Sequence, residues 1–155
     1  MNDKELLKKL ISIQSYVDSS RNEKEIADFL VKYLKENLPW LEVETQQVEG
    51  DRYNIIAKNS DNPDYVFISH MDTVLPSSKD QLYPFEKDGR IYGLGSTYKT
   101  NLSNGGFFEA AIVANAWNCL AISYGPVGTA HTPDEYIEIQ SFLNCKSKFK
   151  ELLKS

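Results

Sequence analysis

The run Tyr65-Val-Phe-Ile-Ser69 narrows the fold more than any other stretch of this chain. It is short and nearly continuously apolar, a pattern that suits a strand covered on both faces, as in the middle of an α/β sheet. Cys119–Tyr124 has the same character and predicts a second such strand. Each run leads into a polar loop, and each loop carries one of the two histidines of the chain.

The segments around these runs supply helices and hairpins. Leu6, Leu7, Leu10, Ile11 and Gln14 recur at helical spacing, so residues 3–15 predict an amphipathic helix. Ser20-Arg21-Asn22-Glu23 has the S-x-x-E form of a capping box and is expected to open a second helix. That helix would bury Ile26, Phe29, Leu30, Tyr33 and Leu34 and end before Pro39. Leu41–Val48 alternates with period two and predicts a strand with one wet face. Gly50-Asp51 turns it into a hairpin partner, Tyr53–Lys58. Asp88-Gly89 predicts the turn of a second hairpin, between Pro84–Lys87 and Arg90–Gly93. Residues 105–117 read as a helix and Gly125–Thr132 as a loop. A last helix is expected from Pro133, with Asp134 and Glu135 at its positive end. Helices and strands interleave, so the fold class is α/β, a small mixed sheet flanked by helices. Repeats, low-complexity stretches and linkers are missing from the pattern.

Composition bounds the function. The 155 residues, 41% hydrophobic and 25% charged, suit a single domain. A domain near 150 residues buries roughly 68–70% of its unfolded surface and needs no metal or disulfide merely to fold. Acidic residues outnumber basic ones and give a formal charge of −5, which argues against a nucleic-acid groove. No apolar run approaches the roughly 20 residues of a membrane span, and Met1–Glu5 lacks the apolar stretch of a signal peptide. Cys119 and Cys145 fit no C-x-x-C pattern and read as reduced buried thiols. A cytoplasmic protein that contacts neither nucleic acid nor membrane is expected.

His70 and Asp72 stand two apart beyond the 65–69 run, on the same side of an extended chain. Ligands of open α/β sheets bind beyond the carboxyl ends of strands. A carboxylate so placed fixes the tautomer of a metal-binding imidazole. Alone, such a triplet equally describes a satisfied structural histidine. His131 occupies the corresponding place after the 119–124 run, and two imidazoles converging on one rim of the sheet would offer zinc its commonest nitrogen ligands. The alternative for His131 is a loop histidine that caps nearby backbone.

Four blocks carry a family resemblance: Ser20–Leu30, Ser69-His-Met-Asp-Thr-Val74, Pro84-Phe-Glu-Lys-Asp-Gly-Arg-Ile-Tyr-Gly-Leu-Gly-Ser96, and Tyr124-Gly-Pro-Val-Gly-Thr-Ala-His-Thr-Pro-Asp-Glu-Tyr136. The chain resembles the co-catalytic zinc hydrolases that include aminoacylase, acetylornithine deacetylase, succinyl-diaminopimelate desuccinylase and related carboxypeptidases. The resemblance implies zinc as cofactor and an N-acyl amino acid or small peptide as substrate. It also implies His70 as a ligand of one metal, Asp72 as the catalytic-site carboxylate that orients it, and His131 as a ligand of the other metal.

Departures from the family pattern concentrate near residues 97–102. The family places there an aspartate that bridges both metals, followed by a Lys-Gly step. Here Thr97-Tyr98-Lys99-Thr100-Asn101 puts Tyr98 in that place. A Glu-Glu pair, a further acidic ligand and a dimerisation domain, all expected next, have no counterpart. Asn101-Leu-Ser-Asn-Gly-Gly-Phe-Phe108 already resembles the entry to the family's penultimate helix. The sequence therefore reads as two ends of a catalytic domain joined with the middle absent.

The chemical consequence is direct. A two-metal hydrolase holds its ions about 3.5–4 Å apart across a bridge and a nucleophilic water, and a carboxylate takes the proton from that water. Tyr98 offers a neutral phenol instead. Glu109, Asp134 and Glu135 are the remaining carboxylates near the motifs, and solvent exposure or helix-dipole pairing accounts for them. Tyr83, Phe85, Tyr92 and Tyr98 resemble an aromatic substrate platform, but their hairpin spacing favours cross-strand packing. Three functional readings remain: a shortened amidohydrolase with little or no activity, an active hydrolase whose missing ligands come from another chain or from unrecognised residues, and a non-catalytic interaction module. Removing mid-domain strands uncovers an edge, which predicts a homo-oligomer.

Overall fold

Asn2 starts the first helix. Its side chain accepts from the Glu5 amide while the Glu5 carboxylate accepts from the Asn2 amide, a reciprocal cap that satisfies two backbone donors at once. In this computed structural model, which describes residues 1–96, 116, 125–130 and 132–152, the helix α1 then runs Asp3–Ser12. It turns Ile11 inward, and Ile13 beyond its end is also buried. α2 spans Lys24–Asn37 and buries Ile26 and Ala27. The S-x-x-E pattern at Ser20 does not cap it. Asp18 takes both the amide and the hydroxyl of Ser20, and Glu23 turns instead to Arg52, 2.8 Å away. A charged partner across the fold offers a carboxylate more than its own helix end does.

The two hairpins form where alternation and turn residues agree. β1 (Glu42–Glu49) pairs antiparallel with β2 (Arg52–Lys58) as a separate two-stranded sheet, and α2 lies against it. β3 (Phe85–Lys87) and β4 (Arg90–Tyr92) meet across Asp88-Gly89. Both turn residues have positive φ, 49° and 73°, as the primed two-residue turn requires. β4 continues a four-stranded antiparallel sheet in the order β3-β4-β6-β5, where β5 is Gly128–Thr129 and β6 is Tyr136–Glu138. α3 (Ile139–Leu152) follows directly. The chain is thus α/β in class, its strands divided between two small antiparallel sheets.

The last helix begins six residues later than Pro133 suggests, because Tyr136-Ile137-Glu138 is claimed by the sheet. Ile137 lies opposite Ile91 in the β4–β6 register. These two residues, 2% and 0% exposed, form the core with Ile11, and Leu7, Ile139 and Phe142 pack around them. Burying an isoleucine contributes about 1.5–3 kcal/mol, more than the weak helix propensity of a three-residue stretch can offset. The same pairing turns part of the expected 125–132 loop into β5.

The 65–69 run departs from expectation. Among the described residues it joins no strand ladder, and Val66, Phe67 and Ile68 are 54%, 54% and 56% exposed. A strand covered on both faces needs neighbours on either side, and neither sheet passes beside this run. Phe67 meets α3 through an edge-on contact with Phe149, ring centroids 5.3 Å apart. The expected partner strand 119–124 and helix 105–117 (Ala116 apart) lie outside the described residues, and with them the expected pairing of 65–69 with 119–124.

Candidate functional site

The chain beyond residue 69 stays extended and is tied down at Thr73. The Thr73 amide donates to the Ser15 carbonyl at 3.3 Å, and Tyr16 and Thr73 form an isolated parallel bridge. Ser15 is 2% exposed, so this tether sits on a fixed point just past α1.

Immediately before it, His70 and Asp72 face each other. The His70 Nδ1 lies 2.8 Å from the Asp72 carbonyl oxygen and 3.1 Å from Asp72 Oδ1. Both partners are acceptors, so Nδ1 carries the proton and donates, and in the neutral ring Nε2 carries the lone pair. This is the arrangement in which a carboxylate orients a metal-binding imidazole. Both side chains are half-exposed, at 43% and 51%.

The turn after β4 closes onto the same region. Gly93-Leu94-Gly95 bends with φ of 146° and 73° at its glycines. A Cβ on Gly95 would stand 2.7 Å from Thr73 Cγ2, and one on Gly93 would stand 2.5 Å from Ile11 Cγ2. Hydrogen at these two positions lets the turn touch both the His70–Asp72 segment and the core. The Gly93 amide donates to the Glu135 carbonyl at 3.1 Å. The Glu135 amide in turn donates to the Thr132 carbonyl at 3.2 Å. Three segments therefore meet: 70–78, 93–96 and 132–135. Between them lies a cleft of about 280 Å³, walled by Val74 and Leu75 on one side and Thr132 and Glu135 on the other. The hydroxyls of Thr73, Ser96 and Thr132 are buried around this junction and meet no hydrogen-bond partner among the described residues.

His131 and Tyr98 lie outside the described residues, as do Glu109 and Cys119, so the structure describes one of the two expected ligands, His70, together with Asp72. Among the described residues no group of three His, Cys, Asp or Glu side chains converges to hold a metal ion. One imidazole with its orienting carboxylate falls short of the three protein ligands of a catalytic zinc site, and the described residues do not make such a site. Asp134 is exposed on a turn, and Glu135, just before β6, is 4% exposed. Neither sits in a helix first turn, so the dipole role expected for them does not apply.

The aromatic residues pack as hairpin spacing suggests. Phe85 and Tyr92 are register partners, stacked at 4.8 Å with their planes 3° apart. Tyr136 continues the row at 5.6 Å from Tyr92, with the Arg90 guanidinium 4.2 Å above its ring. Tyr83 stands apart, 71% exposed. A wider groove of about 880 Å³ opens at the start of α2. It is lined by charges of both signs, with Lys24 paired to Asp28 and the Asn22 amide donating to Asp51, and so presents no single-signed field.

Sequence reasoning missed Gln81. It sits on the short 3-10 turn Lys79–Leu82 and is 6% exposed. Its signal was available: Ser78-Lys-Asp-Gln81 repeats the S-x-x-E/Q form read at Ser20. Here the Gln81 side chain does reach back to the Ser78 amide.

Comparison with known proteins adds no relative. No family model, no curated protein and no solved structure matches the chain.

Proposed function

We propose that the chain is a shortened derivative of a zinc-dependent amidohydrolase or exopeptidase, with little or no hydrolysis of N-acyl amino acids or small peptides by itself. The supporting observation is the His70–Asp72 pair, a carboxylate-oriented imidazole on the segment that runs into a cleft lined by Val74 and Leu75 and, from the Gly93–Ser96 turn, by Leu94. Efficient turnover is not expected, because the bridging carboxylate is replaced by Tyr98 and no general base is recognisable. Losing positioned base catalysis alone costs about 10²–10⁴ in rate. A cytoplasmic location goes with this reading, and the buried free thiol of Cys145 suits it.

The test is an amide-hydrolysis assay on the purified chain with added zinc, beside His70→Ala and His131→Ala, with metal content measured on the same samples. Expected is substoichiometric, weak zinc that falls in both variants, and turnover at background. Robust zinc-dependent turnover lost in both variants would favour an active enzyme completed by a second chain. Absence of any zinc binding would leave the third reading, an interaction module on the same scaffold.

One observation favours that third reading. Val66, Phe67 and Ile68, with Val74 and Leu75 beyond them, put five large apolar side chains on the surface. Exposed apolar patches of several hundred Å² mark interfaces. A homo-oligomer would cover them, and light scattering across a concentration series reads it directly.

A further inference from the structure

We infer that Gln81 is the positioning residue of the cleft, whose buried amide sets the separation between the loop that follows His70 and Asp72 and the loop that begins at Thr132. The inference rests on the proposal that this cleft is what remains of a metal-hydrolase site.

The Gln81 Oε1 accepts from the amide of Ser77 at 2.6 Å and from that of Ser78 at 3.3 Å. Its Nε2 donates to the Thr132 carbonyl at 2.8 Å, across 51 positions of sequence. Its backbone carbonyl accepts from the Leu94 amide, also at 2.8 Å. A single residue thus holds three segments of the cleft. An ordinary capping glutamine would stay at the surface and serve only its own turn; this one is 6% exposed.

The residue type follows from the task. Two backbone N–H groups arrive on one side and a backbone C=O on the other, so the bridging group must accept and donate at once without charge. A side-chain amide does so in one plane, with two acceptor lone pairs on its oxygen for the two N–H groups, where a neutral imidazole has one. Gln81, Leu94 and Thr132 all line the cleft, and Thr132 directly follows His131 in the chain. Any change in the reach of the Gln81 side chain moves one wall of the cleft against the other.

The experiment uses the full chain, isotope-labelled, at pH 8. In the wild type, NOEs from the Gln81 side-chain amide protons to protons of Thr132 are expected, and their absence would overturn the inference whatever the variants do. Gln81→Met keeps the length and removes every side-chain hydrogen bond. It should raise hydrogen exchange at Ser77 and Ser78 about tenfold, a factor that corresponds to losing one buried hydrogen bond. It should also shift the Thr132 amide resonance. Gln81→Glu, followed upward from pH 8 so that the buried carboxyl is read in its ionised form, keeps the acceptor and loses the donor. It should leave Ser77 and Ser78 protected while the Thr132 resonance still moves. If Gln81 is merely packing, the two variants behave alike, with protection lost evenly, and the inference fails. A zinc titration on the same samples separates the two proposals. Wild type that binds no zinc defeats the metal-site reading, while the exchange pattern still decides the role of Gln81. Zinc binding weakened about tenfold or more in both variants supports both proposals.

Discussion

Replacing Gly93 by alanine tests whether the turn beside the cleft is pressed against the core as closely as the structure has it. The φ of Gly93 is 146°, and a Cβ there would stand 2.5 Å from Ile11 Cγ2. Holding a non-glycine residue in such a region costs about 1–3 kcal/mol. Forcing a methyl into a filled core costs about 1–3 kcal/mol more. The stiffer unfolded chain returns about 0.4–1 kcal/mol. Gly93→Ala is therefore expected to destabilise the chain by about 1–6 kcal/mol, centred on about 3, which for a chain of this size lowers Tm by about 2–4 °C per kcal/mol. Gly50→Ala is the control. Its φ is 57° and nothing lies within 4 Å of an added Cβ, so only the left-handed backbone cost of about 1–2 kcal/mol applies. Urea unfolding followed by circular dichroism, with m-values compared, reads both variants. Ile11→Leu removes the offending Cγ2 branch, and combined with Gly93→Ala it should recover part of the loss, a coupling of about 0.5–3 kcal/mol. A Gly93→Ala variant no less stable than Gly50→Ala, with no coupling to Ile11, would refute the close approach of α1 to the turn.

Ile91→Ala, at the fully buried centre of the sheet, should cost about 2–5 kcal/mol by chemical denaturation. The Tyr53 phenol is pushed up to about 12, chiefly by burial and then by its hydrogen bond to Asp28. The folded chain therefore holds that proton more tightly than the unfolded chain, whose tyrosines titrate near 10. The resulting stability is complete below about pH 10 and is lost as pH rises through 12, and Tyr53→Phe should flatten the alkaline unfolding profile over that window. Lys146, 2.6 Å from Asp3 Oδ1, joins α3 to α1 on a half-exposed face; Lys146→Ala should cost no more than about 1 kcal/mol, and less in high salt. Tyr98→Asp restores an anion where the family resemblance expects the bridge, and calorimetry should show tighter zinc binding while turnover stays at background.

Local pattern alone determined the elements whose stabilising contacts lie close in sequence. The β3–β4 hairpin was readable because Asp88-Gly89 adopts positive φ at little cost, and the turn sets the register of Phe85 against Tyr92 without help from elsewhere. α1 and α2 followed from apolar residues at helical spacing, and the His70–Asp72 contact from a separation of two positions along an extended chain. Tertiary structure decided the rest, because the deciding partners are far apart in sequence. Tyr136–Glu138 became a strand because Ile137 found Ile91, not because of its own preference. Glu23 left its helix end for Arg52, and the S-x-x-E pattern at Ser20 went unused. The 65–69 run reads as a central strand in isolation, yet its apolar side chains lie outside both sheets, since a strand is made by its neighbours and not by its composition. Gln81 carries the same lesson into the cleft. Its capping pattern was visible in the sequence, but its burial and its bond to Thr132 exist only once the two loops have been folded together.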